Sequence, residues 1–357
     1  MIDSMAPENM TFTASAPSNI AFVKYWGKRD AAIQWPANDS LSMTLTRCRT
    51  ITSAKKIPGS RDIFRFEGQE LTSDRKSSSH KVFEHLGRLR EELRVTSALD
   101  ITSQNTFPTA CGIASSASGF AALTLAATAA LTGETEWDKL AVLGMPRQRL
   151  AHLARMGSGS AGRSIFGGFV HWAAGDTANS QEIVEICPSS HWGLSDLVIV
   201  FSGHSKHTSS SDAHKAAWGS PFFPARLAGI HSRMERVRAA IKSRNIEALG
   251  EQIESDALEM HAVAMTGTPA ANYIQEDTAR FLAWVRQERS TGGLPAWFTI
   301  DAGPNVHLIC ETNAYASVAK RVAEAWPQVR VIMDQIGPGP TLARGTAKEL
   351  FGEVTNV

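Results

Sequence analysis

The chain has 357 residues, enough for two medium domains rather than one core. Hydrophobic residues make up 43% and charged residues 20%, the balance of an ordinary soluble globular chain, not a disordered one. A net charge of +1 excludes a basic footprint spread over the whole surface, so nucleic acid is not an expected partner.

Cys48, Cys111, Cys187 and Cys310 lie far apart, with no CxxC pair and no metal-ligand spacing, as in a reduced cytoplasmic protein. The first residues lack a basic and apolar signal pattern, and Met1 to Met10 is expected to be a mobile leader. No membrane partner is expected, because the most apolar helical stretch, Phe120 to Leu131, is short and threonine-rich.

In chain order, Thr11 to Val23 reads as a strand, a turn, then a second strand or helix start. Ser40 to Leu45 alternates as a strand, and Asp62 to Phe66 is another, with Gly68 in the turn after it. Val82, Phe83, Leu86, Leu89 and Leu93 recur at helical spacing, predicting a helix over Ser79 to Arg94. Leu99 to Ser103 is a short strand, and a Pro/Gly loop then opens an alanine-rich helix from Ser115 to Leu131, stopped by Gly133. Glu136 to Arg155 is helical with a break at Pro146. After Gly157 the pattern gives a short helix, then a strand at Gly168 to Trp172. Leu197 to Phe201 reads as a buried strand, followed by a serine- and histidine-rich loop over Ser202 to Ser211. Helices follow at Ala225 to Ile241, Ile246 to Ala264 and Thr278 to Gln287. Strands at Phe298 to Ile300 and Val306 to Cys310 flank the loop DAGPN, and a helix at Asn313 to Trp326 precedes a strand at Val329 to Met333. Strands and helices mix without strict alternation, so the class is α+β. A composition shift at Pro188 to Gly193 divides residues 11–190 from 191–357.

Four segments carry chemistry. Pro108, Gly112, Ser115 and Ser116 sit where the alanine-rich helix begins. Glycine lets backbone approach an anion there, and the helix start offers free N–H groups and a positive dipole end. Ser116 is a candidate Mg²⁺ ligand on a bound nucleotide. It is not a Walker A loop, since no GKS or GKT follows. Ser158 and Ser160 alternate with glycines before Arg163, whose guanidinium fork suits a carboxylate or phosphate. Lys24 and Lys28 flank Tyr25 and Trp26, and their spacing of four puts both ammonium groups on one face of a helix or a strand. Asp301, at a strand end on a tight turn, suits a base or a hydroxyl-orienting group. Each has a plainer reading: a capped packing helix, a surface arginine, a solvated basic patch, an Asx-type turn. His204, His207 and His214 lack a matching ligand cluster and are read as part of a loop serving substrate or surface.

Together, SNIAFVKYWGKRD, PANDSLSMTL, NTFPTACGIASSASGFAAL, GSGSAGRSIFGGFVHW, KHTSSSDAH, EMHAV, TIDAGPNVHL and DQIGPGP, in this order over most of the chain, resemble the diphosphomevalonate decarboxylase family of the GHMP small-molecule kinase superfamily. The resemblance implies an N-terminal α+β domain and a C-terminal ferredoxin-like α/β sandwich, with the active site in the cleft. It also implies ATP and Mg²⁺ as cofactors, a small phosphorylated substrate and a homodimer. The implied reaction phosphorylates the 3-hydroxyl of mevalonate 5-diphosphate, expels phosphate and releases CO₂.

By position, Asp301 matches the catalytic aspartate, Arg163 the arginine on the substrate carboxylate, and Lys24 the lysine beside the reacting hydroxyl. Ser115 and Ser116 match the nucleotide phosphate loop. Ser158, Ser160, Ser209 and Ser210 match serines on the substrate side, and Tyr25 and Lys28 its diphosphate end. Arg75 or Lys76 stands where the family places a diphosphate-binding arginine. Three rivals remain at this level: a decarboxylase of the monophosphate or another 3-hydroxy acid, a kinase that stops after phosphorylation, and a non-catalytic ligand sensor.

Overall fold

The computed structural model describes residues 9–74, 79–108, 113–201, 210–353 and 357; the side chain of Ser211 is not among them. Most of the expected leader therefore lies outside the described residues.

Thr11–Val23 forms one continuous strand, not a strand and a turn. Register shifts between Pro17 and Asn19, and between Ala21 and Val23, bend it without ending its pairing. Ser40–Ile57 is likewise one strand, although its alternation fades after Leu45. Its polar middle is held from outside the sheet. The backbone N–H groups of Thr46, Arg47 and Cys48 donate to the Asp334 carboxylate at 3.0, 2.9 and 2.6 Å.

Among the described residues these two strands form the centre of an eight-stranded sheet. Its order is Thr341–Arg344, Thr11–Val23, Ser40–Ile57, Ala98–Asn105, Ile63–Phe66 and Gln69–Leu71, with Phe169–Ala173 joining Ser40–Ile57 to Glu182–Cys187. The strand nearest the C-terminus thus lies at the edge beside the first strand, with Phe12 opposite Arg344 and Ser15 opposite Thr341.

Helices His80–Leu93, Ser115–Thr132 and Arg147–Gly157 bury their apolar residues against this sheet in one core. Ser115–Thr132 matches the expected helix to within one residue; it exceeds the apolar stretch Phe120 to Leu131 and, by length and composition, is long enough to cross a membrane. Yet 78% of it is buried inside the protein. A helix apolar on all sides also suits the centre of a folded core, and this one is covered by the strands and by both neighbouring helices. Gly133 ends it at φ +80°, its N–H donating to the Ala129 carbonyl at 2.7 Å.

The second sheet runs Trp297–Ile300, Val306–Glu311, Leu194–Val200, Arg330–Gln335, all antiparallel. Period-two alternation splits its side chains. Leu197, Ile199, Val306 and Leu308 pack with Phe281, Val285, Val318 and Val322 of helices Glu276–Gly292 and Tyr315–Ala325. Leu194, Val198 and Ile309 face Val237, Ile241 and Leu249 of helices Phe223–Ser243 and Ile246–Thr266, in a core that continues into Ile20 and Phe22. The fold is the expected two-part α+β architecture. The elements that bear chemistry meet where the end of the first strand faces the end of Trp297–Ile300.

Candidate active site

Thr11–Val23 delivers Lys24 just past its last paired residue, and Trp297–Ile300 delivers Asp301 in the same way. The two meet across the cleft: Lys24 Nζ donates to Asp301 Oδ1 at 2.6 Å. The Asp301 turn is fixed by its neighbours. Gly303 N–H donates to the Asp301 carbonyl at 2.7 Å, Thr278 Oγ1 donates to the Pro304 carbonyl at 2.8 Å, and Asn305 Oδ1 accepts from Phe201 N–H. Burial raises the carboxyl's pKa, but Lys24, His307 and Arg163 together outweigh it and hold Asp301 below the usual carboxylate range.

Arg163 sits on a 3-10 turn, Gly159–Ile165, and is 3% exposed. Its Nε donates to Ser42 Oγ at 3.0 Å and to Asn19 Oδ1, its Nη1 to Ser40 Oγ at 2.7 Å, and its Nη2 to Asn19 Oδ1 at 3.0 Å. A guanidinium has five N–H groups, so one on each Nη is left for a ligand. Burial lowers its pKa to about 10, with Asp301 and Tyr25 opposing, so it stays charged at neutral pH.

Lys24, Tyr25, Ser115, Ser116, Ser160, Arg163, Ser210 and Asp301 line one cavity of about 280 Å³. Ser115 and Ser116 open the helix Ser115–Thr132, so its unpaired N–H groups and positive dipole end reach the cavity. Ser158 is not in the wall, but its Oγ lies 3.1 Å from Ser116 Oγ, tying the two serine-rich segments together. Tyr25 packs on Trp172 and on His214, with ring centroids 4.8 and 4.3 Å apart. Burial pushes its hydroxyl far above the ordinary tyrosine value.

Lys28 does not join Lys24 in this wall. Gly27, at φ +79°, turns the chain between them, and Lys28 begins the short strand Lys28–Asp30 near Lys81 and Lys215. Burial, then those two ammonium groups, lower its pKa to about 8. Pro108 is half-buried near the start of the strand-to-helix loop; its neighbour Phe107, not Pro108, lines the cavity. Arg75, Gly112 and Ser209 lie outside the described residues, as do Lys76, His204 and His207.

The wall also includes Trp26 and Met260, which the sequence did not single out, and His214, which it left between substrate and surface. His214 belongs to helix Ser210–Ala216, not to a surface loop, and burial holds its imidazole neutral. The faint signal for it was its place after the KHTSSS run. Among the described residues no three His, Cys, Asp or Glu side chains converge as a metal cage.

A second cavity, of about 190 Å³, is lined by Phe64, Phe66, Leu71, Val82, Phe120 and Leu123, and shares Ser116 with the first. An apolar slot thus opens beside the start of helix Ser115–Thr132.

The sequence profile of the diphosphomevalonate decarboxylase-like N-terminal domain matches residues 16–183. That of the mevalonate 5-diphosphate decarboxylase C-terminal domain matches residues 196–348. The diphosphomevalonate decarboxylase of Ganoderma lucidum is 33% identical over 96% of this chain and 89% of its own. The mevalonate diphosphate decarboxylase structure from Staphylococcus aureus superposes with a TM-score of 0.84 at 31% identity, over 94% of this chain and 98% of that one. The structure of MDDEF in complex with MVAPP, AMPPCP and magnesium does so with 0.84 at 34% identity, over 94% and 99%. Two profiles spanning both halves and full-length relatives above 30% identity leave one conclusion: the chain belongs to the diphosphomevalonate decarboxylase family.

Proposed function

We propose that this protein is an ATP-dependent decarboxylase that converts mevalonate 5-diphosphate to isopentenyl diphosphate, with ADP, phosphate and CO₂ as the other products. The observation that carries the reading is the 2.6 Å Lys24–Asp301 pair in one cavity with the Arg163 fork and the Ser115–Ser116 helix start.

The family resemblance gives each residue a role, and the geometry supports it. Asp301 orients the 3-hydroxyl and accepts its proton. A carboxylate held at low pKa is a weak base, so the proton leaves late, as the oxygen bonds to phosphorus. Lys24 keeps that carboxylate ionised and offers positive charge beside the transferred phosphoryl group. The two free N–H groups of Arg163 take the substrate carboxylate end-on. When phosphate departs from the tertiary carbon it takes the C–O bonding pair, and the C–CO₂ pair then closes the double bond. Once the departing phosphate has taken that proton back from Asp301, the restored carboxylate offsets the positive charge that develops between those steps.

Ser115, Ser116 and the helix N–H groups hold the nucleotide phosphates, and the slot of Phe64, Phe66 and Leu71 takes the base. The paired hydroxyls of Ser116 and Ser158 suit a Mg²⁺ that rides on the nucleotide and needs few protein ligands. Such an ion would supply positive charge against the nucleotide phosphates. Ser160 and Ser210 face the substrate, Tyr25 backs it, and Lys28 with the Arg75 segment receives the diphosphate end.

We further assign residues 11–190 and 191–357 to the two units, with Thr341–Arg344 returned to the first sheet. A cytoplasmic homodimer completes the proposal, supported by the family resemblance and by the free thiols of Cys48, Cys187 and Cys310. The test is a paired assay of ADP and CO₂ with ATP, Mg²⁺ and, in turn, mevalonate, its 5-phosphate and its 5-diphosphate. One CO₂ per ADP with the diphosphate alone is expected. The same stoichiometry with the monophosphate reassigns the substrate, ADP without CO₂ makes the protein a kinase, and no turnover overturns the reading.

A further inference from the structure

We propose that Asp256, with Arg226 and Asn38, is a positioning residue that fixes Lys24 against Asp301. This inference rests on the reading of Lys24 and Asp301 as the reacting pair. Lys24 lies one residue beyond its strand, where the sheet ladder no longer holds the backbone. Side chains hold it instead. Lys24 N–H donates to Asp256 Oδ2 at 2.7 Å. The Lys24 carbonyl accepts from Asn38 Nδ2 at 2.9 Å and from Arg226 Nη2 at 3.3 Å. Both peptide groups of this one residue are thereby gripped.

Asp256 is fully buried on helix Ile246–Thr266. Its Oδ1 is taken by Arg226 at 3.0 Å and Arg233 at 3.2 Å, leaving Oδ2 aimed at the Lys24 amide. Arg233 is braced in turn by Glu259. A buried carboxylate between two guanidiniums is a costly way to satisfy one N–H, because all three ions are desolvated. What the arrangement gains is direction: two guanidiniums fix one carboxylate oxygen, and the other oxygen holds the peptide. The clamp also ties two parts of the molecule. Lys24 comes from the first sheet, whereas Asp256 and Asp301 belong to the second half of the chain. Anchoring Lys24 to the half that carries Asp301 keeps their separation constant whatever the rest of the cleft does.

Asp256→Asn tests this, with kcat, both KM values and the pH profile of kcat as readouts. Charged and titratable groups facing Asp301 are Lys24, Arg163, His261, His307 and Asp196. If Lys24 drifts away, Asp301 loses the largest influence lowering its pKa, and the acid limb of kcat moves to higher pH. The expected result is a fall in kcat of about 10–100-fold, KM values within about threefold, and that shifted limb. Asp256→Asn leaves two buried guanidiniums short of charge, so Asn38→Ala serves as a second variant that spares the ionic network. It is expected to shift kcat and the limb in the same direction, by less. A folded variant with a lower melting temperature but wild-type kcat and an unmoved limb overturns the clamp. Lys24→Met and Asp301→Asn are measured alongside. If those two retain activity, the reacting-pair reading fails and the clamp with it. If they lose activity while Asp256→Asn and Asn38→Ala keep theirs, the clamp alone fails.

Discussion

Raising the pH past 8 should loosen the enzyme's hold on the substrate's diphosphate before it slows the chemistry. Lys28 has a pKa lowered to about 8, first by burial and then by Lys81 and Lys215, against a smaller opposing effect of Asp212. At pH 9 only about a tenth of Lys28 keeps its charge, so kcat/KM for the diphosphate substrate should fall roughly fivefold between pH 8 and 9. Bound phosphate oxygens favour the ammonium form and raise its pKa in the complex. The basic limb should therefore stand at higher pH in kcat than in kcat/KM, since the two report bound and free enzyme. Up to pH 9 these groups intrude little: Arg163, lowered to about 10, stays about nine-tenths charged, and Tyr25 is pushed far above its ordinary value. Nor does unfolding explain the loss. The folded pKa lies below the unfolded one, so between about 8 and 10.5 the unfolded chain binds more protons at this site. This group's contribution to stability accordingly rises with pH across that window. Initial rates at subsaturating substrate from pH 6.5 to 9.5, with thermal melts at each pH, read both effects. A flat kcat/KM to pH 9.5, with Lys28→Gln impaired at pH 7, would refute the argument.

Asp301→Asn should lower kcat by about 10²–10⁴-fold while leaving substrate binding measurable by calorimetry, because only proton acceptance and hydroxyl orientation are removed. Arg163→Lys strands the acceptors of Asn19, Ser40 and Ser42, which should cost about 1–3 kcal/mol in a denaturant melt. It should also raise KM for the carboxylate-bearing substrate. In Gly159→Ala the new methyl would stand 2.4 Å from the Tyr25 ring, forcing that ring off its contacts with Trp172 and His214. A loss of about 1–3 kcal/mol and a raised KM are expected. Gly87→Ala, on helix His80–Leu93 with nothing within 4 Å, should instead gain about 0.8–1 kcal/mol with unchanged kinetics.

Much of this was legible in the sequence, for identifiable reasons. Helix His80–Leu93 follows from apolar spacing, and Ser115–Thr132 from an alanine run with a glycine stop. The second half of Ser40–Ile57 was not legible, because its polar residues Thr46 and Arg47 are supported by Asp334, nearly 290 positions away. Thr341–Arg344 was missed because four half-exposed residues among glycines and prolines show no alternation. Lys24, Arg163 and Asp301 were singled out by residue type and neighbours, and the fold brings all three into one wall. The equal treatment of Lys24 and Lys28 failed on local geometry: even spacing implies a shared face only while the backbone stays regular, and Gly27 turns it. His214 was left between substrate and surface because a histidine in a serine-rich run suits either, and aromatic packing on Tyr25 and Trp26 draws it inside.

The pairing of Thr341–Arg344 with Thr11–Val23 has a consequence for biosynthesis. The outer rim of the first sheet stays open until residue 344 has left the ribosome. At about 5–20 residues per second, that is a delay of some tens of seconds after the first strand emerges. During that interval the nascent chain presents an unpaired β-edge of the kind that recruits other chains. A nonsense mutation just before Thr341 would spare every side chain named in the cavity wall, and yet leave that rim permanently unsealed and the product prone to aggregate.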